Sequence, residues 1–444
     1  MRAAVSHACV ATMQHIRRDP SPPSWPLQSA RFLPPARLMT FDALVLNASL
    51  RQALVTVRSL GRRGLRVAAA ADRTAPAFSS RWCEQGFVFP PEEASDAYLG
   101  TLERWLDATG ARIVIPSHDG TIALLRQHHA RLEKRGGAQG AHLALADEPA
   151  LAVAVNKERT SAVATRLGLR VPREVIVRAG DDVPTAVKEI GLPAVIKPCE
   201  SWLGNGNGGA RVASELVVTH DEARRAVERF TRFGDPILFQ QLLTGRREAV
   251  SFLYAGGEIY ARFAQWAMRT HPPLGGASVL RQSIAMPPDI GRQAESLVRD
   301  INLEGYSEVE FRRDATGVPY LMEINPRLSA SVEVAVRAGV DFPYLLYQWA
   351  SGRRLERHNG YRVGGWMRHL GGDIETTVDS LQQRGRPGIP RPVNTLVDFG
   401  ITFLRPMSYD YVDWKDPLPA VRATTGFIRT TLKRLWSRMR RLIQ

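Results

Sequence analysis

Simple alternation places two carboxylates and an amide on one face of a predicted β-hairpin. In the segment LMEIN, residues 321–325, Glu323 and Asn325 share a face because strand side chains point alternately to either side. The preceding segment YSEVEF and a turn around residues 314–317 place Glu310 opposite Glu323, within one residue of register. These oxygen ligands suit a magnesium ion that bridges phosphates, whereas a polar hairpin face that meets water is the structural alternative.

Arg327 follows these groups directly, two residues after Asn325. A guanidinium beside a bound metal stabilises the charge that develops when a phosphoryl group is transferred. The combination therefore favours phosphoryl-transfer chemistry over a hairpin that only faces solvent.

Groups that could hold phosphates precede this hairpin. Lys197 ends the predicted strand LPAVIKP, and the segment that follows contains four glycines, Gly204, Gly206, Gly208 and Gly209. Glycines allow backbone N–H groups to turn toward phosphate oxygens, and a nearby lysine neutralises their charge. Neither feature is specific alone, because a glycine loop between strands is often only a flexible hairpin. The chain lacks GxxxxGK[ST], which argues against a P-loop nucleotidase.

These groups need a scaffold, and the sequence divides into three blocks after an extension, residues 1–39, that is expected to be disordered. Residues 40–138 alternate short buried-type strands with helices, which predicts an α/β domain with a small doubly wound sheet. The first strand is followed by NASLRQAL rather than GxGxxG, which argues against a dinucleotide oxidoreductase. Residues 139–352 hold the groups described above, and residues 353–444 form a basic C-terminal region.

The order of several motifs resembles the ATP-grasp superfamily, which includes D-alanine:D-alanine ligase, biotin carboxylase and carbamoyl phosphate synthetase. In chain order the motifs are Lys157 at a helix start, Lys197, the glycine-rich segment, FQQLLTGRREAVSF, Glu310 and EINPR. The resemblance covers about residues 40–352, and the segments GGASVLRQ and EINPRLSAS are most similar to poorly characterised ATP-dependent carboligases. It implies an ATP-grasp fold, α+β in its ATP-binding part, that follows an α/β pre-ATP-grasp domain.

The resemblance also implies contacts to the nucleotide. Lys157, Lys197 and the glycines of residues 204–209 would hold the ATP phosphates. Glu248 would bind the ribose hydroxyls. The adenine ring would meet the backbone of an interdomain hinge formed by Gln241, Leu242 and Leu243.

A second group of implied roles concerns the reacting centre. The magnesium ligands would be Glu310, Glu323 and Asn325, and Arg327 would steady the transferring phosphoryl group or a tetrahedral intermediate. Arg281, within GGASVLRQ, is a further candidate for the same anionic centre.

The implied activity is ATP-dependent ligation of a carboxylate to an amine through an acyl phosphate. The expected cofactors are ATP and Mg²⁺, with two ions and substitution by Mn²⁺ within the expectation. The expected partners are small-molecule substrates and a second copy in a homodimer, and no nucleic acid. An ATP-binding sensor without catalysis keeps the same motifs and is the alternative.

Composition limits the partners and the cellular location that are expected for the protein. A net charge of +15 suits nucleic acid, anionic lipid or polyanionic substrates, but the basic residues are spread along the chain without a nucleic-acid recognition motif. The three cysteines have no CxxC spacing, which fits a reducing compartment. No run approaches the ~18 apolar residues of a membrane span. A cytoplasmic location is therefore expected.

The C-terminal segment predicts a basic amphipathic helix. No acidic residue follows Asp416, and an apolar stripe runs between arginines and lysines, formed by Ile428, Leu432, Leu435, Trp436, Met439 and Leu442. Such a stripe either packs against the protein's own core or rests on an anionic membrane surface. Peripheral contact with the inner membrane surface is the hypothesis for this helix.

Overall fold

Five parallel strands form the first sheet of the chain, of which the computed structural model describes residues 40–136, 140–204 and 209–443. The strands are β1 (Ala43–Val45), β2 (Val67–Ala71), β3 (Gln85–Val88), β4 (Ile113–Ile115) and β5 (His142–Leu143). The helices between them are α1 (Arg51–Arg62), α2 (Ser95–Thr109), α3 (Asp119–Gln127) and α4 (His129–Leu132). The order β3-β2-β1-β4-β5 confirms the predicted α/β domain. Because the order reverses beside β1, the loops after β1 and β4 meet at one carboxyl edge.

A second, smaller sheet follows, with the order β10-β7-β11-β6 and antiparallel pairing. Its segment contains α5 (Glu148–Ala154), α6 (Lys157–Arg166), β6 (Glu174–Val177), α7 (Val183–Ile190), β7 (Ala194–Pro198), β8 (Trp202–Gly204), β9 (Gly209–Arg211), β10 (Glu215–Val217), α8 (His220–Phe230) and β11 (Ile237–Gln241). Strands β8 and β9 form a separate hairpin. Helices α7 and α8 cover one face of this sheet and form an apolar core with it.

The largest sheet has seven strands in the order β16-β15-β12-β13-β14-β17-β18. Its elements are β12 (Arg247–Ala255), β13 (Glu258–His271), β14 (Ala277–Ser283), α9 (Pro288–Asp300), β15 (Gly305–Arg313), β16 (Pro319–Asn325), α10 (Glu333–Ala338), α11 (Phe342–Ala350), β17 (Trp366–Arg368) and β18 (Ser408–Tyr409). Strands β17 and β18 come from the predicted C-terminal region, so part of that region completes this sheet.

The C-terminal region also contributes three helices, α12 (Leu370–Gln382), α13 (Pro392–Ile401) and α14 (Leu418–Ile443). Short 3₁₀ turns occur at Pro76–Ser79, Gly180–Asp182, Thr231–Phe233 and Thr402–Leu404. The predicted basic helix is thus present as α14. None of the described helices is long and apolar enough to cross a membrane.

One hydrophobic core joins the first sheet to the largest one. Val45 and Ile115 of the first sheet belong to the same buried cluster as Phe263 and Tyr306 of the largest sheet and Phe342 of α11. Residues 40–444 accordingly form one compact unit. This shared core holds the carboxyl edge of the first sheet at a defined position relative to β15 and β16.

Candidate functional site

Strands β15 and β16 bring the predicted metal ligands together. Their antiparallel register pairs Glu310 with Glu323 and Glu308 with Asn325, which confirms the predicted register. The Asn325 amide Nδ2 donates to Glu310 Oε1 at 3.1 Å. The two carboxylates and the amide therefore form one polar face of the sheet.

Burial and neighbouring charges act differently on the two glutamates. Burial raises the pKa of Glu310 to about 7, with Arg247 opposing this shift and Glu323 adding to it. Burial also opposes ionisation of Glu323, but the Lys157 and Lys197 ammonium groups outweigh it and lower the pKa. A divalent cation would relieve the repulsion at Glu310, and this is the observation that fits magnesium to these residues.

The donor set also suits magnesium rather than a metal held entirely by protein. Within residues 40–136, 140–204 and 209–443, no group of three or more His, Cys, Asp or Glu side chains is arranged to hold a metal. Magnesium is commonly bound by one or two carboxylates together with water and substrate phosphates. Two carboxylates and an amide are therefore sufficient if a nucleotide supplies the remaining oxygens.

Lys157 reaches this face from the start of α6. Asn156 caps the helix by accepting a hydrogen bond from the Arg159 N–H at 3.1 Å, which makes Lys157 its first residue. Lys157 Nζ lies 3.6 Å from Glu323 Oε2 and donates to Ser201 Oγ at 3.2 Å. The helix cap thus places an ammonium group beside a predicted metal ligand.

Lys197 reaches the same region from β7 of the small sheet. The preceding residue, Ile196, packs in the core covered by α7 and α8, so Lys197 points to the opposite face. Burial lowers its pKa to about 8, and the nearby Lys157 ammonium adds to this, while carboxylates including Glu323 oppose it. The two predicted phosphate-binding lysines are therefore neighbours.

Arg327 connects the polar face of β15 and β16 to the N-terminal domain. Its Nη2 donates to Asp119 Oδ2 at 3.0 Å and to Asn325 Oδ1 at 3.3 Å, and its Nε donates to Asp119 as well. Burial acts to lower the pKa of Arg327, but the Asp119 carboxylate outweighs it and raises the pKa. The guanidinium therefore stays charged beside a predicted metal ligand, as the sequence predicted.

Arg247 is a site residue that sequence reasoning missed. Its Nε donates to Glu310 Oε2 at 2.8 Å, and its Nη1 donates to the Gly276 carbonyl in the loop before β14. The alternation in REAVSF could have indicated it, because Arg247 and Ala249 share a strand face and Ala249 pairs with Glu310.

The structure does not bring Arg281 to this cluster, whereas Glu248 lines the main cavity together with Leu242 and Glu310. Glu248 lies on the opposite face of β12 from Ala249, and it pairs with Arg246 at 3.0 Å and Arg313 at 2.7 Å. Arg281 is fully buried and binds both oxygens of Asp410, at 2.6 and 3.0 Å. A buried structural ion pair therefore accounts for Arg281, while the contact of Glu248 with ribose hydroxyls stays a prediction.

The predicted hinge connects the small sheet to the largest one. Gln241 ends β11 and its N–H donates to the Arg173 carbonyl at 2.9 Å. Leu242 lines the main cavity, and the Leu243 carbonyl accepts from Arg312 at 2.8 Å. The segment therefore joins the two sheets beside the main cavity, and its contact with adenine stays a prediction.

Only part of the predicted glycine loop lies within the described residues. Gly204 and Gly209 end β8 and begin β9, where they pair with each other. Gly206 and Gly208 lie outside the described residues.

An open cavity of about 440 Å³ joins these groups. Its walls come from the carboxyl edge of the first sheet, from α6 and the small sheet, and from the largest sheet. Members of the cluster that line it include His118, Asp119, Lys157, Arg247, Glu310, Glu323, Asn325 and Arg327. The size is in the range of small-molecule sites in proteins.

A family described as "ATP-grasp in the biosynthetic pathway with Ter operon" matches residues 236–365. This segment contains β11 to β16 and therefore the predicted metal ligands Glu310, Glu323 and Asn325. The chain has an ATP-grasp fold. The fold predicted from the sequence is confirmed.

The chain is also similar in sequence to a named ligase. It is 27% identical over 217 residues to D-alanine–D-alanine ligase from Geobacter sulfurreducens, across 44% of this chain and 64% of the relative. The chain thus spans somewhat less than two thirds of that relative's length.

Two solved structures share the fold. The biotin carboxylase domain of 2-oxoglutarate carboxylase from Hydrogenobacter thermophilus, solved with MgADP, ADP and bicarbonate, has a TM-score of 0.57 and 17% identity over 74% of each chain. The L-amino acid ligase from Bacillus licheniformis has a TM-score of 0.52 and 18% identity over 70% of this chain and 74% of that chain.

Proposed function

We propose that this protein is an ATP- and Mg²⁺-dependent ligase that activates a carboxylate as an acyl phosphate and joins it to an amine. The observation that carries the proposal is the meeting of Glu310, Glu323 and Asn325 with Lys157 and Arg327 at one cavity. The likeness to proteins named as ligases, and to a fold neighbour solved with MgADP, supports it.

In this proposal each group has a separate task. Lys157 and Lys197 neutralise the ATP phosphates, and the Leu242 region meets the adenine. Glu310, Glu323 and Asn325 hold Mg²⁺, with Mn²⁺ expected to substitute. The ion, when bound, draws negative charge from the phosphate oxygens.

The reaction then has two steps. A carboxylate oxygen of the substrate attacks the γ-phosphorus of ATP and ADP leaves, while Arg327 stabilises the charge on the transferring group. The amine nitrogen attacks the acyl carbon of the resulting acyl phosphate, and inorganic phosphate leaves. The cavity holds both substrates close together, which makes the second step effectively intramolecular.

A hydroxylamine-trapping assay tests this function and separates it from an ATP sensor. The wild-type protein, MgATP and a panel of amino-acid and hydroxy-acid carboxylates would be incubated with hydroxylamine, which captures acyl phosphates as hydroxamates. A ligase yields ADP and hydroxamate in equal amounts for at least one carboxylate. A protein that binds ATP but yields neither product across the panel is a sensor.

The exposed C-terminal helix supports the proposal of peripheral membrane contact. In α14, Ile428, Leu432 and Trp436 leave 51%, 60% and 57% of their surface exposed, so more than half of each side chain faces solvent. The side chains of Leu435, Met439 and Leu442 lie outside the described residues. An exposed apolar stripe between basic residues fits an anionic lipid surface, where each basic residue adds about 1 kcal/mol of attraction.

Truncation after Ala420 should abolish sedimentation with anionic vesicles at low salt while leaving ATP binding intact. The matched control is the full chain with Leu432→Gln and Trp436→Gln, which keeps the charge and should weaken vesicle binding. Neutral vesicles should bind neither form. Unchanged vesicle binding after truncation contradicts the proposal. If truncation only converts a dimer into a monomer, the apolar stripe contacts a second copy of the chain instead of a membrane.

A further inference from the structure

A second cavity, of about 200 Å³, lies at the carboxyl edge of the first sheet. It shares Ser49, Leu50 and His118 with the wall of the main cavity, so the two spaces meet at these residues. None of the roles assigned above uses this space or the histidine at its junction.

His118 and Glu92 form a histidine–carboxylate pair at that junction. His118 Nδ1 lies 2.7 Å from Glu92 Oε2, and the Glu92 side chain is 11% exposed. The other oxygen, Oε1, accepts hydrogen bonds from Asn47 and Thr121. Glu92 is thus held from three directions, and its orientation determines that of the ring.

The charge state of Glu92 determines the tautomer of the neutral ring. Burial opposes its ionisation, but the contact with His118 and the bonds from Thr121 and Asn47 outweigh burial and lower the pKa of Glu92. A carboxylate only accepts hydrogen bonds, so Nδ1 of His118 must be the donor. Nε2 of the neutral ring is then the nitrogen with a free lone pair.

The ring lines the same cavity as the proposed reacting groups Glu310, Glu323 and Arg327. Trp202 packs edge-on against it, with ring centroids 6.0 Å apart. Within the described part of the chain, Nε2 has no hydrogen-bond partner. The next residue, Asp119, binds Arg327, which contacts the metal ligand Asn325. His118 is therefore adjacent in sequence to the residue that binds Arg327, the side chain assigned to the transferring phosphoryl group.

The smaller cavity has an acidic lining. Asp72, Glu92 and Glu93 contribute carboxylates, and the single arginine in its wall, Arg73, pairs with Asp72 at 3.0 Å and is 74% exposed. A lining of this sign favours a cationic ligand such as an ammonium group.

We propose that His118, oriented by Glu92, is the general base of the ligation, and that the amine substrate enters through the acidic cavity as an ammonium ion. This rests on the proposed ligase function. His118 Nε2 takes one proton from the ammonium, and the freed nitrogen lone pair forms the C–N bond to the acyl phosphate. The C–O bond to phosphate then breaks, and phosphate leaves with that electron pair and the second nitrogen proton as hydrogen phosphate. His118 returns its proton to solvent.

Other charged groups surround the ring. Glu92 contacts it directly, and Asp119 follows it on α3. Arg51 of α1 and Lys157 of α6 line the main cavity that it borders. The rates of the variants and of the wild type are therefore compared at the same pH.

The test uses His118→Gln, which can still donate to Glu92 but cannot accept a proton from an ammonium group. With a carboxylate identified by hydroxamate formation, and amino acids, ammonia and short diamines as acceptors, the variant should lose about 10²–10⁴-fold in the rate of amide formation at neutral pH. Hydroxylamine is uncharged at that pH and needs no such proton transfer, so hydroxamate formation should stay within about threefold of wild type. The loss with amines should shrink as the pH approaches the pKa of the amine.

The matched control is His142→Gln, a histidine of the same sheet whose side chain is 62% exposed, and it should leave both rates unchanged. Equal losses with hydroxylamine and with amines would assign His118 a structural role and overturn the proposal, as would unchanged amide formation. If the wild type forms hydroxamates but uses no amine, the amine assignment fails while carboxylate activation stands. If it forms no hydroxamate, the ligase function itself fails and the proposal falls with it.

Discussion

Glu323→Gln should give a folded protein that has lost magnesium-dependent ATP turnover, by about 10²-fold or more. The substitution changes a carboxylate to an amide at nearly constant volume, so it removes a proposed metal ligand and its charge without opening a cavity. It also removes the charge partner of Lys157, which lies 3.6 Å away. ADP release during a magnesium titration measures the effect.

The control for this variant is Glu258→Gln at the start of β13. Glu258 pairs with Arg357 at 3.0 Å and its side chain is 51% exposed, so its loss should change neither turnover nor stability by much. If Glu323→Gln forms ADP at the wild-type rate at every magnesium concentration, the assignment of Glu323 as a metal ligand is wrong.

Arg327→Ala should retain ATP binding and lose on the order of a hundredfold in rate. Arg327 is assigned to charge that develops during transfer, and removing one such donor from a protein site has effects of this size. Nucleotide affinity and single-turnover ADP formation, measured on the same preparation, separate the two quantities.

Asp119→Asn is the control for the structural part of that effect. It breaks the ion pair with Arg327 but leaves the guanidinium, which also contacts Asn325 at 3.3 Å. Its rate loss should therefore be smaller than that of Arg327→Ala. Equal losses of affinity and rate in Arg327→Ala would indicate a role in binding or folding instead of catalysis.

Local sequence patterns were sufficient to predict the β15–β16 hairpin that carries the proposed metal ligands. The alternation of polar and apolar residues defined the β15–β16 hairpin, and the register that pairs Glu310 with Glu323 followed from the turn between them. The helix start predicted at Lys157 is likewise local, because the cap at Asn156 acts over only three residues. The family resemblance then supplied the order of the motifs.

The contacts that complete the site were not predictable in this way, because they join distant parts of the chain. Asp119 and Arg327 are separated by 208 positions, and they meet only because the first and largest sheets share one core. Arg247 and Glu310 are 63 positions apart and meet through strand pairing. Arg281 is a further case, because its buried ion pair with Asp410 joins positions 129 residues apart.

Transfer of oxygen-18 from the substrate carboxylate to inorganic phosphate tests the central claim most directly. With a carboxylate found by the trapping assay and labelled in both oxygens, each phosphate released during amide formation should contain one labelled oxygen, because the carboxylate attacks the γ-phosphorus and phosphate leaves with that oxygen. Amide formation accompanied by unlabelled phosphate would show that no acyl phosphate forms, and it would contradict the mechanism built on Glu310, Glu323, Asn325 and Arg327.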